Sequence, residues 1–220
     1  MSSISKNPKP ASATTKSKNA RPTDRQFDPQ DLERVRRGFI AARTEPMIVD
    51  ERGRKVVDTG AYDFLRDNRD APDTVNPHLW RHATLNAHHG LFEVAKDVWQ
   101  VRGYDISNIT FIKGLTGWVV IDPLTADSTA KASLDLITQH VEQRPVTAVI
   151  YTHSHADHFG GVLGVTTKAD VESGKCQIIA PVGFLQEAIA ENVIAGPAMS
   201  RRATYQFGPL LPPGPQGHVA

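Results

Sequence analysis

Apolar positions are spread unevenly along the chain, and the unevenness divides it into three stretches. Residues 1–27 carry almost none. The segment through Arg25 is built of Ser, Lys, Asn, Thr and Pro, with no acid before Asp24. A segment with so little to bury is expected to stay disordered, because ordering it gains nothing against chain entropy. Residues 28–75 form the second stretch. Asp28-Pro29 reads as an N-cap followed by proline at the first helical position, and Leu32, Val35 and Phe39 share one face of a short helix. Glu45 to Asp73 then reads as an extended arm whose apolar handholds are Val56-Val57 and Tyr62, Phe64 and Leu65. Prolines and turn formers between Asp70 and Pro77 mark a boundary.

In the third stretch, residues 76–220, the pattern changes to short apolar runs. Leu91–Val94 and Val98–Val101 are strand candidates around a turn at Lys96-Asp97. Ile109–Ile112 and Trp118–Ile121 follow, separated by Gly114 and Gly117, so the four runs predict a meander. A helix is expected from Asp127 to Glu142, with Ala130, Leu134, Ile137 and Val141 on its buried side. Val146–Tyr151 is an apolar strand that stops where histidines begin. Ile178–Ala180 is a further strand, and Pro181 opens a helix through Glu191. Hairpins leading into strand–helix units predict an α/β layered domain. There is no internal repeat. The proline- and glycine-rich run Leu211–Gly217 reads as a loop, and the strand count is low for a full sandwich. The expectation is the front part of something longer.

Composition narrows this picture only in places. With 220 residues and 40% hydrophobic positions, the chain can hold one domain or most of one with a peripheral segment. A net charge of +1 with no basic block in the apolar part disfavours nucleic acid as a partner. The single cysteine, Cys176, allows no intrachain disulfide and is expected as a small residue beside a buried strand. No apolar run is long enough to span a bilayer, and the N-terminus lacks the pattern of a secretory signal. The expected location is cytoplasmic or another intracellular compartment; a missing export segment and an organelle presequence are the alternatives.

The candidate chemistry lies in His153-Ser154-His155-Ala156-Asp157-His158. Three imidazoles and a carboxylate this close together suit Zn²⁺. In extended backbone, residues two apart point the same way, so His153 and His155 can grip one ion. Where the chain turns toward a helix, Asp157 and His158 can reach a second. Gly160-Gly161 permits tight backbone behind the loop, and the preceding strand offers a rigid platform.

Thr152–His158 resembles the signature of the metallo-β-lactamase superfamily. Further segments are similar to its alkylsulfatase branch: Asn76–His82, Leu85–Phe92, Val101–Asn108, Asp122–Leu124 and Glu191–Arg202. Together these run from about Ala61 to Gly217. The resemblance implies a partial αββα sandwich of α/β class with an N-terminal extension, in which residues 76–220 form an incomplete domain. It implies His153 and His155 as ligands of one zinc, and Asp157 and His158 as ligands of another. Asp157 is also the expected catalytic residue. Asp122, at the end of the Trp118–Ile121 run, is expected to support the metal loop by hydrogen bonds, with a simple turn acid as the alternative.

The implied activity is zinc-dependent hydrolysis of a small alkyl sulfate ester to an alcohol and sulfate by a metal-bound hydroxide. A homodimer is expected only for the full-length family. The family's further ligands, glutamates and another histidine, lie downstream, and after Gly161 this chain has only His218. Two alternatives therefore stand beside the main reading. One is an inactive remnant that binds metal or a protein; the other is a different hydrolase of the superfamily, such as a thioesterase or lactonase. His78, His82, His88 and His89 are expected in packing or hydrogen-bonding roles. His140 is expected on an exposed helix face. Arg201-Arg202 is expected in solvent, although such a pair could attract a sulfate.

Overall fold

A computed structural model describes residues 9–21, 27–66 and 70–218. The described chain divides into two compact units, the first from residues 1–36, 60–88 and 197–220, the second from 37–59 and 89–196. A helix at Pro77–Asn86 belongs to the first unit, and the first part of the expected arm, through Thr59, to the second.

In the first unit, residues expected to lack order form a helix, α1 (Ala13–Asn19). It buries nothing. Ser12 caps it by accepting a hydrogen bond from the Thr15 N–H, and two polar contacts tether it: Lys16 Nζ to the Asp73 carboxylate at 2.6 Å, and the Asn19 amide to the Asp73 carbonyl at 2.9 Å. Apolar content alone could not reveal order of this kind. The remainder of the expected disordered tail, residues 1–8 and 22–26, lies outside the described residues.

Helix α2 (Asp31–Arg36) starts later than the Asp28-Pro29 pair predicts. Asp28 instead accepts the Gln30 N–H and the Arg34 guanidinium, making a turn before the helix. Residues Thr59–Leu65 form a 3₁₀ helix, and α3 (Pro77–Asn86) is capped by the Asn76 side chain with proline at its first position. Leu65, Trp80 and Ala83 make a small buried cluster, with the Phe64 ring 6.0 Å from that of Trp80. A last helix spans Gly196–Phe207.

The second unit is built on a mixed sheet. Phe39, predicted on a helix, lies instead in β1 (Phe39–Ala41), directly opposite Phe92. Gly38 ends the helical stretch at a positive φ of 74°, and the two phenylalanine rings meet edge-on at 5.4 Å. The predicted extended arm contains a hairpin, β2 (Met47–Val49) and β3 (Lys55–Asp58). Asp50 closes its turn by accepting the N–H groups of Arg52 and Arg54.

The four predicted meander strands are present as β4 (Gly90–Ala95), β5 (Val98–Arg102), β6 (Ile109–Lys113) and β7 (Trp118–Ile121). Helix α4 (Asp127–His140) crosses over to β8 (Val146–Ile150), and α5 (Lys168–Glu172) precedes β9 (Gln177–Ile179). The sheet has seven strands in the order β1-β4-β5-β6-β7-β8-β9, antiparallel as far as β7 and parallel from β7 to β9.

Register explains the core. Trp99 faces Phe111, Phe111 faces Val120 and Val120 faces Val149, so one row of side chains crosses four strands on one face. All four are buried. Period-two alternation places their neighbours on the other face. From α4, Ala130 and Ile137 are fully buried as predicted, and Leu136, Ala132, Ser133 and Thr129 join them. Leu134 and Val141 are only partly buried, and His140 is exposed.

Cys176 is buried beside β9. Burial raises the nearby Tyr151 hydroxyl to about 12, with the Cys176 thiol adding to the effect. The helix predicted from Pro181 starts only at α6 (Phe184–Ile189), after Gly183 at φ 82°, and continues as a π-helical turn, Ala190–Ile194.

Candidate metal centre

The parallel pairing of β7 and β8 puts their carboxyl ends side by side, and both ends feed the site. After Ile121 the chain enters Asp122 at φ 55° and passes through Leu124 at φ 67°. Left-handed backbone costs a non-glycine residue on the order of 1–2 kcal/mol, so surrounding bonds must hold it. They do. The Asp122 N–H donates to the Ile150 carbonyl at 3.0 Å, and the Leu124 carbonyl accepts the Gly161 N–H at 2.9 Å.

The glycines behind the histidines serve close approach more than unusual dihedrals. A Cβ at Gly160 would lie 2.4 Å from the Thr125 carbonyl oxygen. One at Gly161 would lie 2.4 Å from that of Pro123, and one at Gly164 would lie 2.1 Å from that of Asp127. The histidine loop thus rests backbone to backbone on the Asp122–Asp127 turn.

A third loop locks the two together. Asp105 accepts hydrogen bonds from the Thr125 N–H, the Thr125 hydroxyl and the Thr129 hydroxyl at 3.1, 2.6 and 2.6 Å. Its own turn is fixed by the Ile106 N–H at 2.8 Å. The cap position of α4 is Ala126, whose side chain can cap nothing; Asp105 instead ties the residue before it, Thr125, and the Thr129 hydroxyl of the first turn. Ser107 donates its hydroxyl to the Asp157 carbonyl.

At the centre, Asp122, His153 and His158 each bring one ligand-type atom within 4.8 Å of the others, a triad that could hold a metal ion. The His153 ring centroid lies 4.0 Å from that of His158 and 4.5 Å from that of His155. Of the four ligands expected from the sequence, His153 and His158 belong to the triad. His155 and Asp157 do not. The His155 Nε2 atom lies 3.2 Å from a Glu191 carboxylate oxygen, while an Asp157 carboxylate oxygen lies 3.3 Å from His158 Nε2.

Hydrogen bonding shows which ring nitrogens are committed. The Asp122 carboxylate accepts the Thr152 N–H at 2.8 Å on one oxygen. On the other it accepts the Thr152 hydroxyl at 2.7 Å and His158 Nδ1–H at 2.8 Å. The Thr152 hydroxyl has one hydrogen and gives it to Asp122. At its 2.9 Å contact with His153 Nδ1 it must therefore accept, so that nitrogen carries the proton. His153 is then turned with Nε2 as its lone-pair nitrogen, whereas His158 stands between two carboxylates, Asp122 at Nδ1 and Asp157 at Nε2.

Four contributing residues escape sequence reasoning in these roles: Thr152, Ser107, Glu191 and Asn192. Thr152 lies within the motif, and its hydroxyl beside a histidine was the available signal. Glu191 and Asn192 arrive from a distant helix with no spacing pattern to announce them. The remaining histidines stand apart from this cluster. His78 meets the Phe27 ring, His82 contacts the Asn86 amide, and His89 packs against Tyr104. Arg201 and Arg202 are exposed on the last helix.

Comparison with known proteins agrees with this geometry. Residues 102–213 match the model of the metallo-beta-lactamase superfamily. The chain belongs to this superfamily. It is 48% identical over 213 residues to a linear primary-alkylsulfatase of Pseudomonas sp., covering 96% of this chain and 32% of that protein. It is 50% identical over 192 residues to the alkyl/aryl-sulfatase BDS1 of Saccharomyces cerevisiae, covering 87% of this chain and 30% of that protein. The solved structure of the stereoselective inverting sec-alkylsulfatase Pisa1 from Pseudomonas sp. superposes with a TM-score of 0.83 at 48% identity. That match covers 94% of this chain and 33% of the other. The mixed sheet with flanking helices is thus the fold of the corresponding part of the alkylsulfatases. The chain spans about a third of the length of the relatives it matches. Among the described residues, no helix is long and apolar enough to cross a membrane.

Proposed function

We propose that the chain carries part of the active site of a zinc-dependent hydrolase of alkyl sulfate esters. The observation that supports this most is the cluster of Asp122, His153 and His158, whose ligand-type atoms lie within 4.8 Å of one another, with His155 and Asp157 beside it. Imidazole nitrogens with a nearby carboxylate suit zinc by their chemistry, and the partners of the committed nitrogens orient and strengthen the ligands. His153, His155, Asp157 and His158 would hold the metal, in a site for two ions, with Asp122 supporting His158. Bound there, zinc would acidify a water and polarise a sulfate oxygen.

The chain's own residues would do the rest. Asp122 and Thr152 hold His158 and His153 through their Nδ1 atoms and so orient both rings. The Ser107 hydroxyl holds the Asp157 backbone, which aims the carboxylate toward His158 Nε2. In this reading Asp157 accepts a hydrogen bond from the attacking water and orients it. One water and one alkyl sulfate give one alcohol, one sulfate and one proton. The substrate class follows from the relatives, all named as alkylsulfatases or alkyl/aryl-sulfatases.

A second reading is metal binding without turnover, favoured by a candidate cluster of three ligand residues, Asp122, His153 and His158, among the described residues. One experiment separates the two. The purified chain is incubated with zinc and dodecyl sulfate, and bound zinc and released sulfate are both measured. Zinc binding with sulfate release supports the hydrolase. Zinc binding without release, lost in His153→Ala and His155→Ala, supports the second reading. Absence of zinc binding overturns both.

A further inference from the structure

The loop between β5 and β6 is pinned at one residue after another. Gly103 turns the chain at φ 74°. Tyr104 is buried, and its hydroxyl accepts the Arg43 N–H at 2.8 Å. Asp105 is tied to Thr125 and Thr129, at and beyond the turn that follows Asp122. Ser107 is buried, and its hydroxyl is tied to the Asp157 carbonyl. Ile106 stands between these two anchors. Its N–H closes onto the Asp105 carboxylate at 2.8 Å, yet its side chain is 75% exposed. A single exposed apolar side chain is ordinary on a protein surface. This one differs in its anchoring. The residue before it grips the turn that carries Asp122, and the residue after it grips the loop that carries His153 and His158. The Ile106 side chain is thus held in solvent where the two loops of the metal centre meet.

We infer that Ile106 is a specificity-determining residue: it offers an apolar contact to the alkyl chain of a sulfate ester whose sulfate is held at the metal centre. The inference rests on the hydrolase reading above and adds a subsite to it. An alkyl sulfate is anionic at one end and apolar along the rest of its length. The metal centre accounts for recognition of the head alone. The tail gains by leaving water wherever a side chain covers it, by up to about fourfold in affinity for each methylene fully covered. A loop already fixed by Tyr104, Asp105 and Ser107 supplies that cover without first being ordered, so little of the gain is lost. The expected result is a preference for esters with a chain long enough to reach Ile106 over esters with none.

The test uses the full chain loaded with zinc, its isoleucine methyl groups labelled with ¹³C, and two probes: methyl sulfate, and octyl sulfate below its micellar concentration. The Ile106 signal is identified by its loss in Ile106→Val. In the wild type, the Ile106 methyl group is expected to show nuclear Overhauser contacts with the octyl chain. By calorimetric titration, Ile106→Ser is expected to bind octyl sulfate about 3- to 10-fold more weakly and methyl sulfate as before. Leu115→Ser makes a like change at a fully exposed residue of the β6–β7 turn and is expected to alter neither. Equal octyl sulfate affinity in the wild type and Ile106→Ser overturns the inference and leaves the proposed function standing. So does an equal loss for both esters, which would place the fault in the metal centre. Absence of any contact between Ile106 and the octyl chain in the wild type overturns it even if Ile106→Ser fails to fold. If neither ester binds in a zinc-dependent way, the proposed function falls and the subsite falls with it.

Discussion

The Asp122 carboxylate and His158 Nδ1 meet at 2.8 Å, and the same carboxylate oxygen also accepts the Thr152 hydroxyl. One buried aspartate thereby sets the orientation of two histidines at once. Replacing it with asparagine keeps the left-handed backbone, which asparagine tolerates, but removes an acceptor oxygen. Asp122→Asn is expected to weaken zinc binding about 10- to 100-fold, with a smaller loss of stability, as read by chelator competition and denaturant unfolding. Equal zinc affinity in the two proteins would count against the role of Asp122.

Asp105 offers a second test, directed at the scaffold. Asp105→Ala removes the carboxylate that accepts from Thr125 and Thr129 and unties the start of α4 from the Asp105 loop. The expected loss is about 1–3 kcal/mol of unfolding free energy, from lost hydrogen bonds to a carboxylate, the Thr129 hydroxyl keeping the Ala126 carbonyl as acceptor. Hydrogen exchange should quicken at the Thr125 amide before it does in the β5–β6 pair. Uniform quickening across the sheet would contradict a local role.

Gly161 must be small because the Pro123 and Ala126 carbonyls stand 2.4 and 2.6 Å from where a Cβ would sit. Gly161→Ala is expected to cost about 1–3 kcal/mol and to shift the His153 and His158 imidazole resonances, since the loop must lift off its support. Gly174→Ala is the control. Its Cβ meets nothing within 4 Å, and only its φ of 76° opposes the change, at about 1–2 kcal/mol, with no effect on the site.

Tyr151 predicts a pH dependence far from neutrality. Its hydroxyl is raised from 10.0 to about 12 by burial. Below pH 10 both folded and unfolded chains keep the proton, so this residue adds no slope. Between pH 10 and about 12 the unfolded chain releases it while the folded chain holds it, so stability falls as pH rises. Tyr62 and Tyr104 are shifted in the same direction by burial and add to the decline. Tyr151→Phe should lessen the loss between denaturant melts at pH 9 and pH 11. An identical slope would mean that Tyr151 is solvated.

The meander and the α4–β8 unit were legible because their apolar residues alternate or recur at helical spacing over enough positions. The histidine loop was legible because its residue types are rare in such density. Other features depend on partners distant in sequence. Phe39 looked helical from its spacing to Leu32 and Val35, but Gly38 turns the chain and Phe92 claims the ring. Helix α1 escaped notice because its order comes from a cap and Asp73, not from burial. Glu191 carries no local mark of its purpose; only the fold brings it to His155.

The change from antiparallel to parallel strands at β7 also separates the sheet's two ends. The chain leaves β7 and β8 toward Asp122 and His153 at one end. The β6–β7 turn, with Leu115 fully exposed, lies at the other, where the Arg144 guanidinium ties the Gly114 and Leu115 carbonyls. A reporter dye or surface anchor attached at position 115 would therefore sit a full strand length from the histidines. The architecture itself supplies a place to hold or observe the molecule without disturbing its chemistry.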